Sequence, residues 1–150
     1  VIVRLADPLN DAGEILNGAK DFVSRMDFIG PMPQDDAGLI AAMTRLYELP
    51  GFEIAVAEHD ERIVGGIGMI YAPFVWNPGL VTASEMFWWT APGAPRTAAL
   101  ALLRWVEKRM VEKGARLKEF VKLTSSPAGV TRVYERMGLR KVQESWMGSI

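Results

Sequence analysis

Two stretches of this 150-residue chain carry side chains placed where they could do chemistry. Glu85 is the only charge between the loop at 60–62 and Arg96, and it interrupts an apolar run. A carboxylate withdrawn from water is costly unless it is paired or used. It could accept a proton through a water or anchor an amine; beside Ser84 on a half-exposed strand it could equally face solvent. The second stretch is Arg96-Thr97-Ala98-Ala99, which opens an alanine- and leucine-rich segment. A helix that starts after a short loop offers unpaired N–H groups and the positive end of its dipole to a diphosphate. Small side chains at Thr97, Ala98 and Ala99 let phosphate oxygens approach the backbone, and Arg96 can add a charge-assisted hydrogen bond. The same residues are also an ordinary helix start with alanines packed on a sheet. Tyr134 shares a helical stripe with Val130 and Val133, so spacing alone makes it a core residue.

The composition removes other chemistries. With no cysteine, a disulfide scaffold, a thiolate metal site and a cysteine nucleophile are excluded, which suits a reducing compartment. The one histidine, His59, sits among Glu58, Asp60 and Glu61 and reads as a solvated loop residue, so no metal centre is expected. Apolar types at 49% and charged types at 23% are those of a globular chain, and the length predicts one domain over 1–150. The longest uncharged run, Ile63 to Ser84, could span a bilayer by count alone. Gly65, Gly66, Gly68, Pro73, Pro78 and Gly79 break it, so two strands and a loop are expected instead. The N-terminal VIVRLADPLN does not read as a leader, and a soluble cytoplasmic protein is expected.

Charge is unevenly divided. Residues 1–95 hold 5 basic and 13 acidic side chains, and residues 96–150 hold 12 and 5. An anionic ligand on the C-terminal half, a cationic one on the N-terminal half, or solvated helix faces would each account for this. Arg104, Lys108, Arg109 and Lys113 line the outer face of a predicted helix. Without interleaved aromatics they are a poor match to a nucleic-acid groove, and nucleic acid is not the expected partner.

The periodicities set the elements that must position these residues. A strand is predicted at Val1–Ala6, then a helix from Leu9 to about Phe28 capped by Asp7-Pro8 and stopped by Gly30-Pro31. A second helix follows from about Gln34 to Leu49. Two strands at about 52–58 and 62–71 form a hairpin around His59-Asp60-Glu61. A loop from Pro73 to Gly79 leads to a strand at Val81–Thr90 with the cluster Phe87-Trp88-Trp89. A helix at about Arg96–Lys113 ends at Gly114, and a strand spans Arg116–Thr124. Ser126-Pro127 then opens a helix with Val130, Val133, Tyr134 and Met137 inward, and a last strand or hairpin falls in Leu139–Ile150. The first strands favour antiparallel pairing; the later alternation of strand and helix favours parallel crossovers.

This order, together with Tyr134-Glu135-Arg136-Met137-Gly138-Leu139, EMFWWTAP and the alanine-rich helix upstream, resembles the GNAT family of N-acetyltransferases over essentially the whole chain. The Phe-Trp-Trp strand also looks like acetyltransferase-like proteins of bacteriophages. The resemblance implies an α/β (mixed α+β) fold: a twisted, mostly antiparallel sheet with helices on both faces. It also implies transfer of an acetyl group from acetyl-coenzyme A, as cosubstrate, to a small-molecule or protein amine by direct attack. On that pattern Met86 to Trp89 would pair with the pantetheine arm through their backbone, which makes Phe87, Trp88 and Trp89 cofactor-binding positions, though most of their side chains read as core aromatics. Arg96 to Ala99 would hold the diphosphate, and Thr124 or Ser125 would bond the arm. Tyr134 matches the family's usual general acid; Glu85, from its own placement, is the candidate base or amine anchor, and a backbone N–H near Phe87 or Trp88 the oxyanion donor. The chain departs from the family's Q/R-x-x-G-x-G/A loop, because neither Ala94–Ala99 nor Arg96–Ala101 contains a glycine. An inactive GNAT-fold binding or structural protein, such as a virion component, therefore stays open as the alternative. Asp35, Asp36, Glu53 and Glu58 would favour a cationic acceptor, and Phe74, Trp76 and Trp146 could cover a homodimer surface.

Overall fold

The computed structural model describes residues 1–26 and 35–146. Strand β1 (Ile2–Leu5) leads to helices α1 (Ala12–Ser24) and α2 (Asp36–Tyr47), then to strands β2 (Phe52–His59), β3 (Arg62–Phe74) and β4 (Asn77–Thr90). Helix α3 (Thr97–Glu112), strand β5 (Ala115–Glu119) and helix α4 (Gly129–Arg136) follow. The strands form one sheet in the order β1-β2-β3-β4-β5, antiparallel except for the parallel β4–β5 pair. A parallel pair requires a crossover, and α3 supplies it. Among the described residues no helix is long and apolar enough to cross a membrane.

Helices cover both faces because the strands are apolar on both. Phe52, Ile54 and Val56 of β2 point toward α1 and α2, where Ile15, Phe22, Met43 and Leu46 meet them. Ala55 and Ala57 point the other way, with Ile67, Met69 and Ala83, onto Leu102, Leu103, Val106 and Met110 of α3. Burying those four α3 side chains contributes about 1.5–3 kcal/mol each. The small residues of β2 and β3 are matched to large ones nearby. A Cβ on Gly68 would lie 2.6 Å from the Phe87 ring, and one on Gly18 of α1 would lie 2.0 Å from the Trp89 ring, so β4's aromatics occupy space these glycines leave.

Several boundaries differ from the sequence expectation, each for a local reason. Helix α1 starts later than Asp7-Pro8, because the Asp7 carboxylate accepts from the N–H groups of Leu9 (2.9 Å) and Asn10 (3.1 Å) in a separate turn. Asp11 then precedes the helix, its buried carboxylate holding Arg4 of β1 (2.6 Å) and the Asp7 N–H (2.7 Å). Ser126 likewise does not cap α4; its hydroxyl accepts from the Leu123 N–H at 3.0 Å. The Pro73–Gly79 loop is replaced by a tight turn at Val75-Trp76, with Phe74 opposite Asn77. The register shift there takes in Pro78, which cannot donate to a ladder. No strand forms over the described residues 139–146; the expectations at Asp27–Gln34 and Met147–Ile150 lie outside the described residues.

Candidate active site

The sheet is interrupted where β4 and β5 part. On the β3 side, Gly68 faces Phe87 and Met69 faces Glu85, so Met86 is an extra residue and β4 bulges. On the other side, the parallel ladder ends at Ser84 and Glu119. This is why the strand predicted to Thr124 stops at Glu119: past the bulge, β4 no longer presents its backbone to residues 120–124.

Side chains bridge the gap instead. The Glu85 carboxylate accepts from the Val121 N–H at 2.9 Å. The Tyr134 hydroxyl donates to the Val121 carbonyl at 2.9 Å, and the Trp88 indole N–H donates to the phenol oxygen at 3.1 Å. Both backbone polar groups of Val121 are thus held by side chains, one from β4 and one from α4. The bulge makes this possible. In an unbroken strand Glu85 and Trp88 would lie on opposite faces, since side chains alternate. With Met86 inserted, Glu85 pairs with Met69 and Trp88 with Ile67, both of which face α3.

The electrostatics follow from burial. Glu85 is 5% exposed, and removal from water pushes its carboxyl from 4.5 up to about 7, against the smaller opposite effect of the Val121 N–H. Burial also raises the Tyr134 phenol well above its usual 10; the Glu85 charge adds to this and the Trp88 N–H opposes it. Near neutral pH the site therefore contains a carboxyl poised between its two states and a phenol that keeps its proton. The Tyr134 ring is seated against Phe120, centroids 5.4 Å apart.

Of the other aromatics, Phe87 packs at a tilt against Phe22 (centroids 6.1 Å apart) and Phe52 (6.4 Å) in the α1/α2 core, and Trp89 lies against Gly18 there. Only their main chain borders the gap. Before α3, Pro92-Gly93 forms a turn closed by Ala94 N–H to Ala91 O at 3.0 Å. Gly93 takes φ +80°, as the third residue of a type II turn requires. No side chain caps α3, while Arg96 and Thr97 are exposed and Ala99 is half-buried. Ala98 differs: its side chain is fully buried against the sheet and its N–H donates to Pro95 O at 2.8 Å. The open start of α3 and the Arg96 guanidinium fit a diphosphate, and the edge of β4 after the bulge, which no described strand covers, fits an amide-bearing arm. Thr124 and Ser125 are exposed, in the turn between β5 and α4.

The acidic residues expected to attract a cationic acceptor are otherwise engaged. Asp35 caps α2 through the Gly38 N–H (2.8 Å), Asp36 pairs with Lys20 (2.8 Å), and Glu58 with Arg4 (3.1 Å). Glu53 binds Arg109 at 2.9 Å and also Lys113, so those two cations turn toward β2, while Arg104 and Lys108 stay exposed. His59 is exposed at the end of β2, and Trp76 and Trp146 are exposed as well. Sequence reasoning missed Val121. It acts through backbone groups any residue would supply, so its side chain carries no signal.

No family model matches this chain, and no curated protein matches it. Solved structures do. A transcriptional regulator from Bacillus halodurans superimposes with TM-score 0.79 at 22% identity, covering 100% of this chain and 99% of that one. A ribosomal-protein-alanine N-acetyltransferase from Brucella melitensis gives 0.75 at 16%, covering 100% of both. An aminoglycoside N-acetyltransferase in complex with coenzyme A gives 0.71 at 15%, covering 99% of this chain and 93% of that one. At such identities the likeness speaks to architecture, and the architecture is the fold of the GNAT acetyltransferases.

Proposed function

We propose that this protein transfers an acetyl group from acetyl-coenzyme A to an amine carried by a small molecule or a protein. One observation carries the reading: a buried carboxyl near 7 and a protonated phenol meet at Val121, where the sheet parts. A bound acetyl-coenzyme A would supply the acetyl group as an activated thioester. The main chain of Met86 to Trp89 would pair with its arm, and Arg96, Thr97 and Ala99 would face its diphosphate.

An attacking amine must lose a proton, the carbonyl oxygen must be stabilised as it gains charge, and the departing sulfur must gain a proton. Glu85, its carboxyl raised to about 7, would in its ionised form take the amine's proton through a water. A backbone N–H near Phe87 or Trp88 would face the oxygen. Tyr134 would give its hydroxyl proton to the sulfur, and exchange with solvent would return both groups to their starting states. Support for the donor sites comes from the uncapped start of α3 and the β4 edge that no described strand covers, and from a structural neighbour that carries coenzyme A.

Calorimetric titration with acetyl-coenzyme A, followed by an amine panel, tests the reading. Micromolar binding is expected. Tyr134→Phe should lower turnover by about ten- to a hundredfold and leave coenzyme affinity within about twofold. No binding at millimolar coenzyme, or an equal loss of binding and turnover in that variant, would refute the assignment.

A further inference from the structure

The indole of Trp88 is the remaining polar side chain of the Val121 network, and its chemistry is one-sided. An indole N–H donates and cannot accept, whereas a phenol has one proton to give and lone pairs to receive. At 3.1 Å the indole must be the donor and the Tyr134 oxygen the acceptor. The phenol's own proton is therefore excluded from that side and points at the Val121 carbonyl, 2.9 Å away. The indole thus selects between the two in-plane orientations open to a phenol hydroxyl.

The contact also matters after the proton has gone. A phenolate at Tyr134 would sit in a buried place beside Glu85 and opposite the Val121 carbonyl, both electron-rich. The Trp88 N–H is the group in this network that would favour the charge. The bulge at Met86 puts the indole on this face, so the contact depends on an irregularity of β4. We propose that Trp88 is a positioning residue for Tyr134: its indole N–H keeps the phenol's proton on the side away from the indole, and stabilises the oxygen once that proton has turned from the Val121 carbonyl to the sulfur. This rests on the acetyl-transfer reading, in which Tyr134 is the proton donor.

Two measurements test it. In 13C,15N-labelled protein, the Trp88 indole N–H, assigned through its own side-chain-to-backbone connectivity, should exchange with deuterium about tenfold faster in Tyr134→Phe than in the wild type, the equivalent of one lost hydrogen bond. This comparison leaves the Trp88 side chain intact, so it stands even if Trp88→Phe folds poorly. In kinetics, Trp88→Phe should lower turnover about tenfold with coenzyme affinity unchanged, and the double variant should be no slower than Tyr134→Phe alone. A merely structural tryptophan would instead give losses that multiply. Multiplying losses overturn the proposal, as does indole exchange indifferent to the Tyr134 hydroxyl. Wild-type protein inert toward coenzyme and amines, with the exchange coupling intact, would overturn the acetyl-transfer reading and the positioning role together, and leave the hydrogen bond as architecture.

Discussion

Replacing Glu85 by glutamine removes a buried charge while keeping an oxygen that can accept from the Val121 N–H. The wild-type carboxyl lies at about 7 in the folded protein against 4.5 when solvated. The folded state therefore holds this proton more tightly than the unfolded state. The associated stability is present below pH 4.5 and is lost as pH rises through about 7. The full displacement corresponds to about 3 kcal/mol. At pH 8 nearly all of it has been lost; at pH 5 less than about 1 kcal/mol has gone. Glutamine is neutral throughout, so Glu85→Gln should gain on the wild type by about 2 kcal/mol between pH 5 and pH 8. For a chain of this size that is a relative shift in melting temperature of roughly 4–8 °C. Any penalty from the buried amide is independent of pH and cancels in that comparison. Urea unfolding of both proteins at the two pH values measures it, with other titrating groups common to both. A stability difference constant from pH 5 to pH 8, or one that favours the wild type more at pH 8, would refute the account of Glu85 as a carboxyl charged at the expense of the fold.

Three further outcomes follow from the packing and the charge pairs. Gly18→Ala should cost about 3 kcal/mol in chemical denaturation, because the new methyl falls 2.0 Å from a buried tryptophan ring. Glu61→Gly should raise stability by about 1 kcal/mol in the same assay: Asp60 and Glu61 form the β2–β3 turn at φ +49° and +61°, a conformation glycine adopts without strain. At Glu53, burial would raise the carboxyl, but hydrogen bonds from Arg109 and Lys113 outweigh it and hold the group below 4.5. Stability from this cluster is thus present above that pH and lost in acid. Glu53→Gln should destabilise the protein at pH 7, with the deficit shrinking as the pH falls below 4.5 in thermal melts.

The meander, the helices and both candidate catalytic side chains could be read from the chain before any coordinates. Glu85 stood out as a lone charge in an apolar strand, and Tyr134 stood out in its helix-ending motif. What connects them could not be read. The bulge at Met86 carries no glycine or proline to announce it, and plain alternation would have set Glu85 with Phe87 and Trp89 instead of Trp88. Caps were misplaced at Asp7 and Ser126 because the same side chains that cap helices also close turns, and residue type does not separate the two uses. The acidic residues of the N-terminal half looked available for an amine until their partners, Arg4, Lys20, Arg109 and Lys113, were placed beside them.

The sheet is also unequal in how its strands are acquired. Strands β2, β3 and β4 are joined by two tight turns, so their long ladders close short loops and form early at little entropic cost. Strand β5 can pair only after the chain has traversed α3, and it is rewarded with a ladder of four residue pairs. The grip on Val121 lies beyond even that, and it needs α4 in place as well. Loop-closure cost therefore favours the meander over the cleft, and amide exchange should be slower along β2 and β3 than at Val121.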